Sequence, residues 1–221
     1  LVKLFPSPLD GGLHLKKENI LLNVLKKVGK MYIHKNGIRL VKISKEDLPL
    51  LRDLKNESWF GTHNILFVNL TDQEKWFETL NPQKTLILKA INNNGEIIGL
   101  YKIQNIDWIN KKYDSAHDVF EQHRGKGYSK PILEAGVDFG FEVLNMNRID
   151  TEVLENNIAS LKSAIWVGYI KEGLKRKCIH KCGEYLNSIV LGILKEEWLE
   201  LERVKNYNGA CNASYQPKNS K

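Results

Sequence analysis

Apolar residues Ile20, Leu21, Val24 and Leu25 recur at helical spacing across residues 16–27, which predicts an amphipathic helix after a start rich in proline and glycine. Asn36-Gly37 then separates two short apolar runs, 31–34 and 38–43, as in a hairpin. Ser44-Lys-Glu-Asp47 has the shape of a capping box and opens a helix through Leu48, Leu51 and Leu54. Thr71-Asp-Gln-Glu74 repeats that signature ahead of Trp76, Phe77 and Leu80, so a second helix follows a loop containing Trp59 to Asn64. Residues 85–91 and 97–103 flank Asn94-Gly95 and predict a second hairpin. Residues 115–120 form a strand that runs straight into Arg124-Gly-Lys-Gly127. Beyond it, Ile132, Leu133, Ala135, Val137, Phe139, Phe141 and Val143 make residues 130–143 a helix apolar enough to lie on a sheet. A strand over 148–154, a short helix over 158–167, and strands over 170–177 and 185–194 complete a mixed sheet carrying helices. The tail from Asn206, rich in Asn, Ser, Gly and Pro, is expected to fray.

Composition narrows the setting. A chain of 221 residues, 42% hydrophobic and 27% charged, is an ordinary globular chain with one core and embellishments at its ends. It has no run of about 18 apolar residues, so no membrane helix is expected. Pro6, Pro8 and Gly11-Gly12 interrupt any signal-peptide core, which points to the cytoplasm. Three cysteines, Cys178, Cys182 and Cys211, do not suggest a disulfide framework. Cys178, His180 and Cys182 lack a second ligand pair at zinc spacing, so no metal is expected. The net charge of +7 suits nucleic acid, a membrane surface or an anionic small molecule. Its basic residues are dispersed, as in Lys111-Lys112 and Lys175-Arg176-Lys177, which favours a solvated surface over one binding block.

Arg124-Gly-Lys-Gly127 sits between a strand and a helix, where glycines let backbone amides approach an anion and the helix dipole favours a phosphate. A nucleotide-binding Gly-rich loop would need four residues between glycines followed by Gly-Lys-Ser/Thr, which is absent. A dinucleotide fingerprint would need a third glycine where Lys130 stands.

Gln122-His-Arg-Gly-Lys-Gly-Tyr128 resembles the pyrophosphate-binding loop of GNAT acyltransferases. The resemblance runs from about Ile38 to Trp198. Arg148 to Asn157, Ser160, Gly168-Tyr169 and the Glu172-Gly173, Gly183-Glu-Tyr185 segments are similar to the branch that acetylates ribosomal-protein N termini and polyamines. It implies an α/β (α+β) fold with a mixed, mostly antiparallel central sheet flanked by helices. A helical and hairpin extension then occupies 1–36, the acyltransferase domain 37–200 and a tail 201–221. It also implies an acyl-coenzyme A co-substrate, acetyl or short acyl. Val119, Phe120, Gln122, Arg124, Gly125, Lys126, Gly127, Tyr128 and Ser129 would then be strand or loop contacts, with Asn157 on the pantetheine side.

Acyl transfer to an amine needs a neutral nitrogen, an oxyanion site and a proton for the thiolate. Many members of the superfamily carry a tyrosine acid seven residues after the asparagine, where this chain has Ala164. The resemblance implies Ser160 as a partner for the sulfur. Candidate bases are Asp114, His117 and Asp118 on the strand before the loop; Glu57 and His63, on the loop that the resemblance places over the acceptor side, are further candidates, and a water chain to bulk solvent is an alternative to all of them. Strand alternation puts His117 with Ser115 and Val119 on one face and Asp118 with Ala116 on the other, so only one of the two is expected to look into the cleft. Trp59 and Phe60, beside Gly61, are candidate acceptor contacts along with His63; Trp108 and Trp166 are weaker ones.

Three acceptors compete: a nucleotide-linked amino sugar, a protein N terminus and a polyamine. Asn105-Ile-Asp107, Phe120 to Gly125 and Asn187-Ser-Ile-Val are similar to acyltransferases that finish dideoxyamino sugars for bacterial surface polysaccharides, which favours the first. Lys111, Lys112, Arg176 and Lys177 would then meet the diphosphate. The partner expected is thus a small molecule, with a homodimer allowed and neither membrane nor nucleic acid implied. A catalytically silent module that binds coenzyme A or RNA is the reading from another class.

Overall fold

The computed structural model describes residues 31–58 and 67–211, with side chains through 206. The helix expected over 16–27 lies outside them. Eight strands form one sheet: β1 (Met31–Ile33), β2 (Arg39–Lys42), β3 (Leu86–Ile91), β4 (Ile97–Asp107), β5 (Lys112–Val119), β6 (Arg148–Leu154), β7 (Ile170–Lys181) and β8 (Glu184–Leu194). Their order is β1-β2-β3-β4-β5-β6-β8-β7, and only β5 and β6 run parallel. The sheet is therefore mixed and mostly antiparallel, as the resemblance implied. Residue 36, the expected end of the N-terminal extension, falls in the β1–β2 turn, and both strands of that hairpin belong to the sheet.

Six α-helices flank the sheet among the described residues: α1 (Leu48–Glu57), α2 (Leu70–Glu78), α3 (Ser129–Glu142), α4 (Ile158–Val167), α5 (Lys195–Glu200) and α6 (Glu202–Cys211). The box before α1 is present, with the Ser44 amide donating to Asp47 Oδ2 at 2.8 Å. At α2 the cap is Asn69 and not Thr71: the Asp72 amide donates to Asn69 Oδ1 at 2.9 Å. Asn-x-x-Asp closes the same reciprocal pair two residues earlier, with shorter side chains. α5 and α6 were not foreseen, because each is short and weakly periodic, and α6 stays helical past Asn206. They are anchored by Asp138 in α3, which accepts from Trp198 Nε1 at 2.7 Å, His34 Nε2 at 2.9 Å and Arg203 Nη1 at 2.8 Å.

α3 lies on the sheet through its small residues. A Cβ on Gly136 would stand 2.2 Å from the Tyr101 ring, and one on Gly140 would stand 2.2 Å from Tyr113 Oη. The two phenols meet at 2.9 Å beneath the helix. This face holds the larger core; on the other face a second cluster of Ile43, Leu51, Leu54, Ile87, Leu100 and Phe120 packs under α1. Leu100 and Tyr101, consecutive on β4, serve the two faces in turn.

The feature that makes a site is a fork. β5 and β6 pair only at Lys112↔Arg148, Tyr113↔Ile149 and Asp114↔Asp150. Thr151 Oγ1 then donates to the Ser115 carbonyl at 2.9 Å, and beyond that point the strands part.

Candidate active site

The gap between the parted strands is a cleft of about 690 Å³, a size suited to a small organic ligand. Its walls are β5 from Ala116 to Val119 and β6 from Thr151 to Leu154; the glycine loop, with Gly125 and Gly127, and the start of α4 close its ends. At the fork the gap passes through the plane of the sheet, so both faces of β5 reach it. His117 and Asp118 consequently both line the cleft, which corrects the expectation that alternation admits only one.

The loop is built as an anion seat. Gly125 and Gly127 have φ of 72° and 82°, a region that other L-residues enter only under strain. None of the backbone amides from Gly125 to Lys130 makes a well-formed hydrogen bond to a backbone carbonyl of the described residues. Several donors thus gather at the N-terminus of α3. The loop side chains contribute unequally. Arg124 folds back, its Nε donating to the Val119 carbonyl at 3.2 Å and its Nη2 to Ser58 Oγ at 2.8 Å, so it ties the loop to the end of α1. Gln122 and Lys126 are exposed and lie outside the cleft lining. Phe120 is 2% exposed and belongs to the core under α1. Tyr128 lines the cleft edge, its ring against His123 at 5.8 Å. Ser129 also lines it, with its hydroxyl held by His117 Nε2 at 2.7 Å.

Asp118 sits 2.5 Å from Lys102 Nζ. Burial works against its charge, but Lys102, then His117 and Arg124, hold the carboxyl below its ordinary range. His117 is pushed below the usual imidazole value by burial and Lys102, with Asp118 opposing, so it is neutral at neutral pH. Asp114 is exposed, hydrogen-bonded to Asn105 at 2.7 Å, and stands where β5 and β6 are still paired, outside the cleft. Asn157 caps α4 by accepting from the Ser160 amide at 3.2 Å, and both residues line the cleft.

A model of the acetyltransferase (GNAT) domain matches residues 40–190, more than half of the sequence. The chain belongs to the GNAT acetyltransferase family. YokL, an uncharacterized N-acetyltransferase derived from the SPbeta prophage of Bacillus subtilis, is 26% identical over 73% of this chain and 92% of its own length. YdaF, a putative ribosomal N-acetyltransferase of the same organism, is 24% identical over 66% of this chain and 83% of its own. Spermidine N(1)-acetyltransferase of Vibrio cholerae is 23% identical over 73% of this chain and 95% of its own. A crystal structure of the Vibrio cholerae enzyme with CoA and spermine superposes with a TM-score of 0.71, at 18% identity over 74% of this chain and 99% of that one.

As a GNAT protein the chain is an acyl-CoA-dependent N-acyltransferase, and acetyl-CoA supplies the activated thioester. The residues present fit that donor: the amides at the start of α3 suit a pyrophosphate, and the fork leaves unpaired strand edges for an amide-bearing arm. Ala164, at the place of the usual tyrosine acid, is 2% exposed and packs in the core, away from the cleft. Trp59, Phe60 and His63 lie outside the described residues. Glu57 is exposed on α1 and does not line the cleft. Trp108 packs against the core and donates to the Gln83 carbonyl at 2.8 Å, while Trp166 lies on the outer surface of α4 with Lys130 Nζ 5.0 Å above its ring.

Sequence reasoning missed Lys102, His123, Thr151 and Glu152, all of which line the cleft. Lys102, Thr151 and Glu152 reach the cleft through strand placement, while His123 stands within the Gln122 to Tyr128 motif at a position the motif leaves unspecified. Among the described residues one cluster has metal-ligand geometry, His34, Glu134 and Asp138. Arg203 Nη1 stands 2.8 Å from Asp138 and 3.4 Å from Glu134, so a guanidinium already serves as its cation. No described helix is long and apolar enough to cross a membrane.

Proposed function

We propose that the chain acetylates a primary amine of a polyamine, with His117 as the base that takes the amine proton. The observation that carries this reading is the pair of carboxylates on opposite walls of the cleft, Asp118 on β5 and Glu152 on β6. Each is held by a lysine of the chain, Lys102 and Lys175 respectively, an ammonium partner of the kind that a polyamine would present. The name of the Vibrio cholerae relative supports the same acceptor class.

The nucleotide-sugar acceptor favoured by local wording in the sequence draws no such support. The basic residues meant for its diphosphate are away from the cleft lining: Lys112 begins β5 at the paired end, Lys111 lies over Trp108 at 5.8 Å, and Arg176 and Lys177 sit in an exposed bulge of β7. An N-terminal peptide is the second reading, motivated by YdaF.

The overall step is R-NH3+ plus acetyl-CoA giving the amide, CoA-SH and one proton. The ammonium first gives a proton to the base; the nitrogen lone pair then forms the N–C bond, and the C–S bond breaks. The second nitrogen proton balances the thiolate, with Ser160 at the cleft wall to solvate the sulfur. Free-thiol release from acetyl-CoA, followed over spermidine, spermine, N-terminal peptides and amino-sugar nucleotides, tests the acceptor. Polyamines are expected to turn over; turnover of only peptides or only sugar nucleotides refutes the proposal.

A further inference from the structure

His117 is held by a chain of hydroxyls whose polarity can be read from its far end. Ser163 Oγ is 3.0 Å from the Ala159 carbonyl, which can only accept, so Ser163 donates its proton there. Ser129 Oγ, 2.9 Å from Ser163 Oγ, must then be the donor of that pair. With its one proton spent, Ser129 meets His117 Nε2 at 2.7 Å as an acceptor. The imidazole nitrogen facing Ser129 therefore carries the hydrogen, and Nδ1 carries the lone pair. Nδ1 has no hydrogen-bond partner among the described residues, and His117 lines the cleft.

We propose that Ser163, a residue with no place in the cleft lining, is a positioning residue for catalysis: through Ser129 it fixes His117 as the Nε2–H tautomer and leaves Nδ1 as the base. This rests on the acyl-transfer reading of the cleft and on His117 as its base. The two serines come from different helices, Ser129 at the first position of α3 and Ser163 within α4, so the chain also couples the tautomer to the packing of the two helices that border the donor end. The charged groups that act on the imidazole are Lys102 on β4 and Asp118 on its own strand, and Glu152 on β6 with His123, Arg124 and Tyr128 of the loop line the same cleft. None of them is hydrogen-bonded to its ring. When the acceptor ammonium gives its proton to Nδ1, the imidazolium keeps its Nε2–H on Ser129, and the proton leaves to solvent in the next exchange.

The test combines a spectroscopic and a kinetic arm. In 15N-resolved NMR of the full chain, with the resonance assigned by its absence in His117→Gln, Nε2 is expected to be protonated and Nδ1 bare. Ser163→Ala lets Ser129 turn its proton toward the ring, and a mixed tautomer is expected. In turnover, His117→Gln is expected to lower kcat by about a hundredfold. Ser163→Ala is expected to lower it severalfold with donor KM unchanged, and Ser163→Thr, which keeps the hydroxyl, to restore it. Ser163→Ala in the His117→Gln background is expected to cost nothing further, whereas a merely structural role would add its loss to the first. An Nδ1–H tautomer in the wild-type protein, or additive losses in the double variant, overturns the proposal. The NMR arm requires no acceptor, so a panel in which no polyamine reacts would defeat the polyamine reading while the tautomer is still decided.

Discussion

Replacing Gly136 by alanine adds one methyl group at the place where α3 touches the sheet most closely. That carbon would stand 2.2 Å from Tyr101 Cδ2 and Cε2 and 2.4 Å from Cγ, against an ordinary contact of about 3.5 Å or more. The ring has little room to yield: it is fully buried, it stands on the central strand β4, and its hydroxyl is tied to Tyr113 at 2.9 Å. A methyl forced into such a site costs typically 1–3 kcal/mol, and an aromatic ring pinned at this distance puts the cost near ~3 kcal/mol. Alanine recovers up to about 1 kcal/mol through helix propensity, leaving a net loss near 2 kcal/mol. For a chain of this size that lowers Tm by roughly 4–8 °C in a circular-dichroism melt. The same displacement moves the N-terminus of α3, whose free amides form the donor seat, so calorimetric affinity for coenzyme A should fall as well. A Tm equal to or above that of the unmodified protein would refute the packing argument, because propensity alone makes the substitution stabilising.

Asp138→Ala removes the buried common acceptor of His34, Trp198 and Arg203 and should cost about 3 kcal/mol in urea unfolding, since it takes away three hydrogen bonds and leaves the half-buried guanidinium with the more distant Glu134 carboxylate at 3.4 Å; an unchanged midpoint would contradict this. The lowered value of His117 makes the unfolded chain bind more protons than the folded one between the folded value and the ordinary one near 6.5. That contribution to stability is complete above about pH 6.5 and is lost as pH falls through the folded value, so His117→Gln should flatten the stability profile on the acid side of 6.5 and leave it unaltered above. Lys102→Met frees Asp118 for an external ammonium; under the polyamine reading it should lower KM for spermidine about tenfold, equivalent to roughly 1.4 kcal/mol, and a raised KM would count against that reading.

Most of the architecture was legible because each element carried a local cause. Asn94-Gly95 fixes the β3–β4 turn, Ser44 and Asp47 start α1, and the apolar breadth of 132–143 covers a sheet face whichever neighbours it meets. The shape of the glycine loop was legible for a similar reason: two glycines at positive φ ahead of a helix turn its backbone, and backbone geometry is what glycine spacing reports. The side chains around it were not legible. Arg124 reads as a phosphate ligand by charge, yet its guanidinium is committed to Ser58 and the Val119 carbonyl. Phe120 reads as a ligand contact by position, yet it follows the end of β5 and packs with Leu51 and Leu54 of α1.

The acceptor end shows why parity along a strand is an insufficient guide. Alternation assigns His117 and Asp118 to opposite faces, and the assignment is right; the inference that one of them must miss the cleft fails because the cleft is cut through the sheet and not laid upon it. What decides this is where β5 and β6 cease to pair, after Asp114↔Asp150, and that depends on the length of a parallel register between strands 36 positions apart in sequence. Nothing within either strand encodes it. The same fork explains why the unforeseen residues are Lys102, Thr151 and Glu152: each reaches the gap from a strand whose own sequence reads as ordinary sheet. A site of this kind has the proposed base and one of the two carboxylates on opposite faces of β5, with the other carboxylate across the gap on β6. His117 answers to the hydroxyls of α3 and α4, and Asp118 answers to Lys102 of the neighbouring strand. The two groups lie one residue apart and share one cation: Lys102 lowers both Asp118 and His117, so mutating the serines should alter the proposed base without changing the charge of the carboxylate, whereas mutating Lys102 should raise the titration of both.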